Sequence, residues 1–260
     1  MRTTPAYRSA RRCCRITRSV AALLAAEGIS KHFGALVVLD QIRLAVAADE
    51  AIGIVGPNGA GKTTLLNVLA GAYAPSAGSV FFKGENVTAA GAATRCRLGV
   101  ARSHQVPRPF GGMTVFENVL VAATAGGGLR AEAAHACCIE SLELCGMLHL
   151  VNRRAESLGL LDRKRLELAR ALATGPTVLL LDEIGSGLTD AEAGELVAAI
   201  LQLRRRKIAI VWIEHMVHVL LQVVSRLVCM DAGRVIADGD PAAVMKDAAV
   251  IDAYLGQGAA

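Results

Sequence analysis

Short apolar runs and amphipathic stretches alternate along most of the chain. The runs at 50–56, 177–183 and 208–215 are continuous apolar segments that stop at glycine or near acidic residues, which is typical of buried strands. Residues 36–46 alternate apolar and polar side chains in part, which indicates a strand with one solvated face. Because such strands alternate with helical stretches, the pattern predicts an α/β core with a mostly parallel sheet.

Leucine and alanine recur at helical spacing in the stretches between the strands. We predict helices at 62–71, 115–123, 130–145, 162–173 and 241–255, and a further helix that begins at a capping box of Thr189 with Glu192. Residues 78–87 predict a strand and a turn, and 226–239 predict a hairpin. The segment from about 106 to 170 holds helices without a convincing strand, so we interpret it as a helical insertion.

Composition argues against a disordered chain and against a membrane-spanning one. The 260 residues are 53% hydrophobic and 20% charged, which is far too apolar for a disordered polypeptide. The longest apolar stretches, at 20–26, 178–181 and 208–213, are far shorter than the ~18 residues that a membrane-spanning helix needs. The sequence therefore predicts a large core of buried strands and alanine-rich helices.

The positive charge of the chain is confined to its first residues. The formal net charge is +5, from 28 Lys and Arg against 23 Asp and Glu, and residues 1–20 hold six arginines and no acid. The remaining residues carry 22 basic and 23 acidic side chains, so the charge does not predict nucleic-acid binding by the folded domain. Residues 1–21 fit a basic tail that touches membrane or nucleic acid, a targeting segment, or an extension without a function.

The strongest motif is GPNGAGKT, which fits the phosphate-binding pattern G-x-x-x-x-G-K-[ST] and lies between a predicted strand and a predicted helix. Its glycines let the backbone wrap around an anion, and the helix N-terminus adds a favourable field. Lys62 is expected to reach the β- and γ-phosphates, and the Thr63 hydroxyl to ligate Mg²⁺. The predicted nucleotide-binding residues of this loop are Gly56, Pro57, Asn58, Gly59, Ala60, Gly61, Lys62, Thr63 and Thr64.

A pair of acids supplies the rest of the expected chemistry. Asp182 and Glu183 end the apolar strand at 177–183, 120 residues and more after Lys62. An acid at the carboxyl end of a parallel strand points into the crevice where ligands bind. We predict that Asp182 holds Mg²⁺ through water and that Glu183 polarises the attacking water as a general base or close to it.

The order of the motifs resembles the ATP-binding subunit of ABC transporters over nearly all of 22–256, whereas the absence of N-K-x-D and T-K-x-D argues against a GTPase. The matching segments are the phosphate-binding loop, a glutamine loop at 102–105, a signature-plus-helix region at 157–173, LLLDE at 179–183 and IEH at 213–215. The resemblance implies a P-loop NTPase (RecA-like) core with a mostly parallel sheet, an N-terminal antiparallel β subdomain and an inserted helical subdomain at about 106–170. It implies one domain at 22–256, flanked by an N-terminal tail at 1–21, expected to be disordered, and a C-terminal tail at 257–260.

The same resemblance assigns roles to four further residues. Gln105 would sense the metal and the attacking water, contribute to the metal site and couple to the membrane partner. His215 would contact the γ-phosphate. Phe33 would stack on adenine, with Val38 beside it. The implied ligands are ATP and Mg²⁺.

Finer features look like the Liv-type ATP-binding subunits of branched-chain amino acid importers. These features are GVARSHQVPRPFGGMTVFENVLVAA at 99–123, RKRLELARALA at 163–173, VWIEHMVHVL at 211–220 and VIDAYLG at 250–256. They imply an ATPase that powers uptake of branched-chain amino acids or related small amides. The implied partners are permease subunits in the inner membrane, a second ATP-binding subunit in a homo- or heterodimer, and indirectly a periplasmic or extracellular solute-binding protein, with no nucleic acid. The implied location is cytoplasmic, peripheral on the inner face of the plasma membrane.

Three features depart from the family pattern. The signature segment, which carries Leu-Ser-Gly-Gly-Gln in the family, consists here of Leu158, Gly159, Leu160, Leu161 and Asp162. Gly159 therefore replaces the serine that would contact the γ-phosphate across the dimer, a contact worth roughly a few kcal/mol in the transition state. Thr189 stands where aspartate is usual, and His104 stands where phenylalanine is common.

These departures leave two alternatives to a fully active transport ATPase. The first is a catalytically weak regulatory subunit paired with a competent ATPase, which Gly159 motivates. The second is a soluble ABC ATPase that acts on nucleic acid or ribosomes and not in transport. The single ATPase cassette and the lack of a long coiled coil argue against the second alternative.

Overall fold

The computed structural model describes residues 22–255, and the tails predicted at 1–21 and 257–260 lie outside the described residues. Within this part the strands are β1 Leu24–Phe33, β2 Leu36–Val46, β3 Ala51–Val55, β4 Ala77–Phe82, β5 Glu85–Asn86, β6 Val100–Arg102, β7 Val178–Asp182, β8 Ala209–Ile213, β9 Arg226–Asp231 and β10 Arg234–Gly239. The α-helices are α1 Lys62–Leu69, α2 Ala92–Leu98, α3 Val115–Val121, α4 Ala131–Leu144, α5 Leu160–Leu172, α6 Asp190–Arg205, α7 Val217–Leu220, α8 Pro241–Val244 and α9 Ala248–Leu255.

A six-stranded sheet of order β10-β9-β3-β8-β7-β6 forms the centre of the core. Its strands are parallel except for β10, which pairs antiparallel with β9 through the predicted hairpin. Every residue of β3, β7 and β8 is buried. Their continuous apolar sequences follow from this burial, because helices or the second sheet cover both faces of a parallel sheet. The predicted α/β core with a mostly parallel sheet is confirmed.

A second sheet of order β2-β1-β4-β5 is antiparallel throughout and confirms the N-terminal antiparallel β subdomain. Buried residues of β2 are interspersed with exposed ones, in line with the partial alternation of residues 36–46. The inward side chains of this sheet pack with α1 and with one face of the central sheet in a shared apolar cluster.

The segment at 106–170 is built from helices. It contains α3, a π-helical turn, α4, two short 3₁₀ turns and most of α5, and its β pairing among the described residues is one isolated bridge between Thr114 and Arg154. Helix α5 begins at Leu160, two residues before the predicted start. The last three residues of the signature segment therefore belong to the first turn of α5. Within residues 22–255, no helix is long and apolar enough to cross a membrane.

Candidate functional site

The phosphate-binding loop lies between β3 and α1, and its backbone requires glycine at two positions. Gly56 has φ +141°, and a Cβ there would lie 2.0 Å from the Met230 carbonyl oxygen. Gly61 has φ +95°, and a Cβ there would lie 2.7 Å from the Val38 carbonyl oxygen. Gly61 is also the N-cap of α1 and supplies no side chain to its amides. The free N–H groups of the first turn of α1 are thus available to an anion.

Lys62 holds a buried positive charge within this loop. Its side chain is 5% exposed, and Nζ donates to the carbonyl oxygens of Gly56 at 2.7 Å and Pro57 at 2.9 Å. Burial lowers the pKa of Lys62, and the negative charge of Glu183 opposes that shift. The ammonium group is therefore placed where incoming phosphates can replace neutral carbonyl partners with charged ones.

The two residues predicted to bind the metal through oxygen atoms, Thr63 and Asp182, are in contact. Asp182, fully buried at the end of β7, accepts a hydrogen bond from the Thr63 hydroxyl to Oδ1 at 3.2 Å. Its second oxygen, Oδ2, pairs with Arg102 at 2.8 Å. A carboxylate and a hydroxyl beside a phosphate site are the hard oxygen ligands that Mg²⁺ takes, so these residues fit the predicted ion.

Two predicted catalytic side chains converge on the carboxylate of the third, Glu183. His215 Nε2 lies 2.9 Å from Glu183 Oε1, and Gln105 Nε2 donates to Glu183 Oε2. The three residues follow β8, β7 and β6, which are neighbours in the sheet, so their loops meet at its carboxyl edge. Gln105 contacts the predicted base and not the pair formed by Thr63 and Asp182.

Glu183 itself has an unusual backbone. Its φ is +47°, which is uncommon for a residue with a Cβ, and its amide donates to the Ile213 carbonyl at 2.8 Å. Strained conformations of this kind persist where contacts with the surrounding structure hold them in place, and they are frequent at functional sites. Six other non-glycine residues of the described chain also have positive φ, so the role of Glu183 as the general base stays a prediction.

A cavity of about 200 Å³ lies beside the phosphate loop, and it is lined by the loop residues 58–64 together with Val38 and Glu183. Phe33 does not line it. Its ring is 45% exposed and lies edge-on to Tyr73, with 5.6 Å between ring centroids. Lys31 Nζ lies 5.0 Å from the centre of the Phe33 ring. Adenine stacking by Phe33 stays a prediction, and Tyr73 is an aromatic partner that the sequence pattern did not single out.

A larger cavity of about 350 Å³ lies away from the phosphate loop, between α2, β6 and α5. His104 lines it together with Glu167 and Arg170. Burial lowers the pKa of His104, while the charge of Glu167 opposes the shift. We assign the nucleotide site to the smaller cavity, because the phosphate loop and the Glu183 carboxylate line that one.

The signature segment lies apart from the phosphate-loop cavity of its own chain, whose lining includes none of 158–162. Leu158 is buried, and Leu160 is 46% exposed. Gly159 is the N-cap of α5 in an extended conformation (φ −67°, ψ 174°), and a Cβ built on it meets no atom within 4 Å. The fold therefore has room for a side chain at the position where this sequence lacks a hydroxyl.

The two other departures have local explanations. Thr189 caps α6, because its hydroxyl accepts from the Glu192 amide at 3.4 Å and its own amide donates to the Glu192 carboxylate at 2.9 Å. This confirms the predicted capping box and shows that threonine meets the helix-capping requirement at that position. His104 is placed in the larger cavity described above.

Sequence reasoning missed Glu214, which orders the loops around the base. One of its oxygens accepts from the Gly185 amide at 2.8 Å, and the other accepts from the His215 amide at 2.9 Å. The residue is 2% exposed. Its place beside His215 in IEH was the available signal, but a buried acid at a strand end does not reveal its hydrogen-bond partners.

Comparisons with known proteins show which family the chain is similar to. The sequence profile of the family described as ABC transporter matches residues 39–186, and that of the branched-chain amino acid ATP-binding cassette transporter matches residues 234–260. The chain is 34% identical to the high-affinity branched-chain amino acid transport ATP-binding protein LivG of Escherichia coli, over 90% of this chain and 98% of that protein. It is 30% identical to the lipopolysaccharide export ATP-binding protein LptB of Haemophilus influenzae, over the same shares.

A solved ATP-binding cassette of an ABC transporter in its ADP conformation has the same architecture. Its TM-score is 0.84 at 30% identity, covering 90% of this chain and 99% of that one.

Proposed function

Since the chain belongs to the ABC transporter ATP-binding family, we propose that it binds ATP with Mg²⁺ at its phosphate loop and hydrolyses it to power a membrane importer. The observation that carries this proposal is the convergence of Gln105 and His215 on Glu183, next to the contact between Thr63 and Asp182. The proposed base Glu183, the proposed metal ligand Thr63 and the phosphate loop line one cavity, and Asp182 contacts it through Thr63.

The proposed chemistry follows from the charges of these residues. Lys62 and the amides at the start of α1 bind the β- and γ-phosphates of ATP, and Thr63 and Asp182 hold Mg²⁺. The bound ion supplies positive charge against the phosphate oxygens. Glu183 accepts a proton from the attacking water or orients it, and His215 contacts the γ-phosphate. Gln105 and His215 hold the Glu183 carboxylate in one position through their contacts with its two oxygens.

The assembly extends the same proposal. Two such subunits close face to face around two ATP molecules, and the 158–162 segment of each completes the site of the other. The exposed first turn of α5 supports this, because its amides are not used by the phosphate-loop cavity of its own chain. Permease subunits dock near 105–119 and follow the movement of the helical insertion. The subunit is placed accordingly on the cytoplasmic face of the membrane, and a solute-binding protein delivers the solute to the permease.

The proposed solutes are branched-chain amino acids or related small amides. The proposal rests on the similarity to LivG and on the C-terminal match at 234–260. LptB is similar to this chain to a comparable degree and is named for lipopolysaccharide export. The transported solute therefore requires its own experiment.

The experiment is purification of the tagged chain from its native membrane, followed by reconstitution of whatever complex it forms in liposomes. We expect two permease subunits to co-purify, and ATP hydrolysis to rise when leucine-loaded binding protein is added. Lysine with the same binding protein is the matched control for the solute. Absence of permease subunits from the purified complex contradicts a transport role, and equal stimulation by lysine and leucine contradicts the proposed solute.

A second candidate function is favoured by Gly159 and the two leucines that follow it. The chain would then bind nucleotide at a regulatory site, and a competent paralogue would carry most of the hydrolysis. Steady-state ATPase rates of the chain alone and of its native complex separate the two functions. Hydrolysis by the chain alone at the rate of the complex, per site, excludes the regulatory function.

A further inference from the structure

Arg102 is a buried cation in contact with the predicted metal ligand, and the function proposed above gives it no role. Its side chain is 12% exposed, and Nη2 lies 2.8 Å from Oδ2 of the fully buried Asp182. Its other terminal nitrogen, Nη1, donates to the side-chain oxygen of Asn67 on α1. Both terminal nitrogens are therefore used, and Nε has no hydrogen-bond partner within residues 22–255.

The position of Arg102 follows from the register of the sheet. In the parallel pair of β6 and β7, Arg102 lies opposite Leu180, two residues before Asp182. The long arginine side chain thus emerges at the carboxyl edge of the sheet, where Asp182 and the phosphate loop also lie. A shorter cation at the same position would reach less far along that edge.

Four side chains and one carbonyl close a ring around the metal site. Arg102 donates hydrogen bonds to both Asp182 and Asn67. Asn67 Nδ2 donates to the Thr63 carbonyl at 2.8 Å, and the Thr63 hydroxyl donates to Asp182, which closes the ring. Thr63 and Asp182 are the two residues that would hold Mg²⁺. The ring fixes the orientation of both ligands from behind while leaving the cavity side to the nucleotide.

The ring also balances the charge of the metal ligand. Asp182 contributes its one negative charge, and Arg102 contributes its one positive charge. A buried carboxylate without a cation is strongly unfavourable, so Arg102 compensates Asp182 when no metal is present. At the same time, a positive charge beside the ligand reduces the attraction of the site for a divalent cation that arrives alone.

We propose that Arg102 is a resident counter-cation of Asp182, which holds the metal ligands ready for ATP·Mg²⁺ and disfavours binding of the free metal ion. The inference rests on the ATP·Mg²⁺ site proposed above. It makes metal binding dependent on nucleotide, because the triphosphate brings enough negative charge to outweigh Arg102. Arg102 is thus a positioning residue that acts through Asp182 and Thr63.

The test compares Arg102→Gln with the parent protein in three binding measurements. Free Mn²⁺, the probe for the divalent ion, is titrated without nucleotide by electron paramagnetic resonance. We expect the variant to bind Mn²⁺ about 3- to 10-fold more tightly, because a repelling charge is gone. ATP in the presence of a chelator should bind about 3- to 10-fold more weakly, because an attracting charge is gone. Affinity for ATP·Mg²⁺ should change least.

These opposite shifts distinguish a charge effect from damage to the fold, which would weaken all three affinities together. Arg102→Lys keeps the charge and should leave the affinity for free Mn²⁺ close to that of the parent. Asn67→Ala opens the ring but keeps the charge, so free Mn²⁺ affinity should not rise. Arg234→Gln removes a cation that pairs with Asp40 on the surface and is the control for a change in net charge.

Two results would overturn the inference while leaving the proposed function intact. One is an Arg102→Gln protein that binds ATP·Mg²⁺ but shows unchanged or weaker affinity for free Mn²⁺. The other needs no variant: a parent protein that binds Mn²⁺ equally tightly with and without ATP. Failure of the parent protein to bind ATP·Mg²⁺ at all would instead contradict the proposed function.

Discussion

The phosphate loop and the signature segment each contain a glycine at a decisive position, and the two glycines are there for opposite reasons. At Gly56 a Cβ would lie 2.0 Å from a backbone oxygen of Met230, whereas at Gly159 it would meet nothing within 4 Å. Gly56 is thus required by the fold. Gly159 is a position where the fold accepts a side chain and this sequence does not provide one.

The same contrast extends to the chemistry of the two regions. Around the phosphate loop, one chain supplies a buried lysine, a carboxylate proposed to bind the metal and a proposed base in contact with two neighbours. The signature segment supplies backbone amides and leucine side chains at the start of α5. The phosphate-loop half of the proposed site thus keeps its predicted residues, whereas the signature half lacks the serine hydroxyl. The variants below test how much each half contributes.

Glu183→Gln should produce the largest effect on the complete half. The amide keeps the shape of the side chain, but it has one acceptor oxygen where the carboxylate has two, and it cannot accept a proton from water. We expect the hydrolysis rate to fall by about 10³-fold, within the range of general-base catalysis, with ATP still bound and a closed dimer accumulating. Rates are measured by phosphate release and the dimer by size-exclusion chromatography with ATP. Hydrolysis at the parental rate would show that Glu183 is not the base.

Gly56→Ala should destabilise the fold itself. The added methyl group collides with the backbone of β9, so β3 and β9 must separate or the loop must shift. We expect the free energy of unfolding to fall by about 3 kcal/mol, measured by urea denaturation. Gly59→Ala is a matched control, because it also has positive φ but an unobstructed Cβ position, and it should be less destabilising. Equal losses in the two variants would remove the argument from the Met230 contact.

Lys62→Ala should weaken nucleotide binding with a smaller effect on stability. The charged contact to phosphate is worth about 1.5–3 kcal/mol, which corresponds to roughly 10- to 100-fold in ATP affinity. Within the protein the lysine donates only to the neutral carbonyls of Gly56 and Pro57 among the described residues, so its loss costs the fold less. Calorimetric titration with ATP measures the first effect and thermal unfolding the second. Unchanged ATP affinity would contradict the assignment of Lys62.

The main elements of this fold were predictable because their signals are local. β3, β7 and β8 are continuous apolar runs, and the capping box of α6 is four residues long. β1, α2, β6 and α7 were missed. β6 has three residues, and its pairing with β7 joins positions 78 residues apart, such as Val100 and Val178. A pattern in a short stretch of sequence cannot show a pairing between residues that far apart in the chain.

The residues of the candidate site also divide into those with a local sequence signal and those without one. The phosphate loop and the acid pair were identified from spacing alone, because their residue types are fixed by phosphate and metal chemistry. Arg102, Asn67 and Glu214 were not, because each contacts a residue distant in sequence that only the tertiary fold brings near. The start of α5 was placed two residues late, since Gly159 gives no side-chain capping signal.

Gly159→Ser tests the reduced half and should have the smallest effect. The extended backbone at the N-cap of α5 accommodates serine, and serine is a better N-cap than glycine by a few tenths of a kcal/mol. We therefore expect a slight rise in thermal stability of the isolated chain. In the dimer, the hydroxyl would add a donor to the γ-phosphate of the opposite site, and the hydrolysis rate should rise by up to about 10-fold. Phosphate release by the native complex measures this.

Gly159→Ala separates the two contributions, because it adds the same Cβ without a hydroxyl. If serine and alanine raise the rate equally, the gain comes from the backbone of α5 and not from contact with phosphate. If serine alone raises it, the absent hydroxyl limits hydrolysis in this chain, and the room around Gly159 marks a lost catalytic contact that a single substitution restores. No change with either residue would mean that the amides of α5 already supply all that this segment contributes across the dimer.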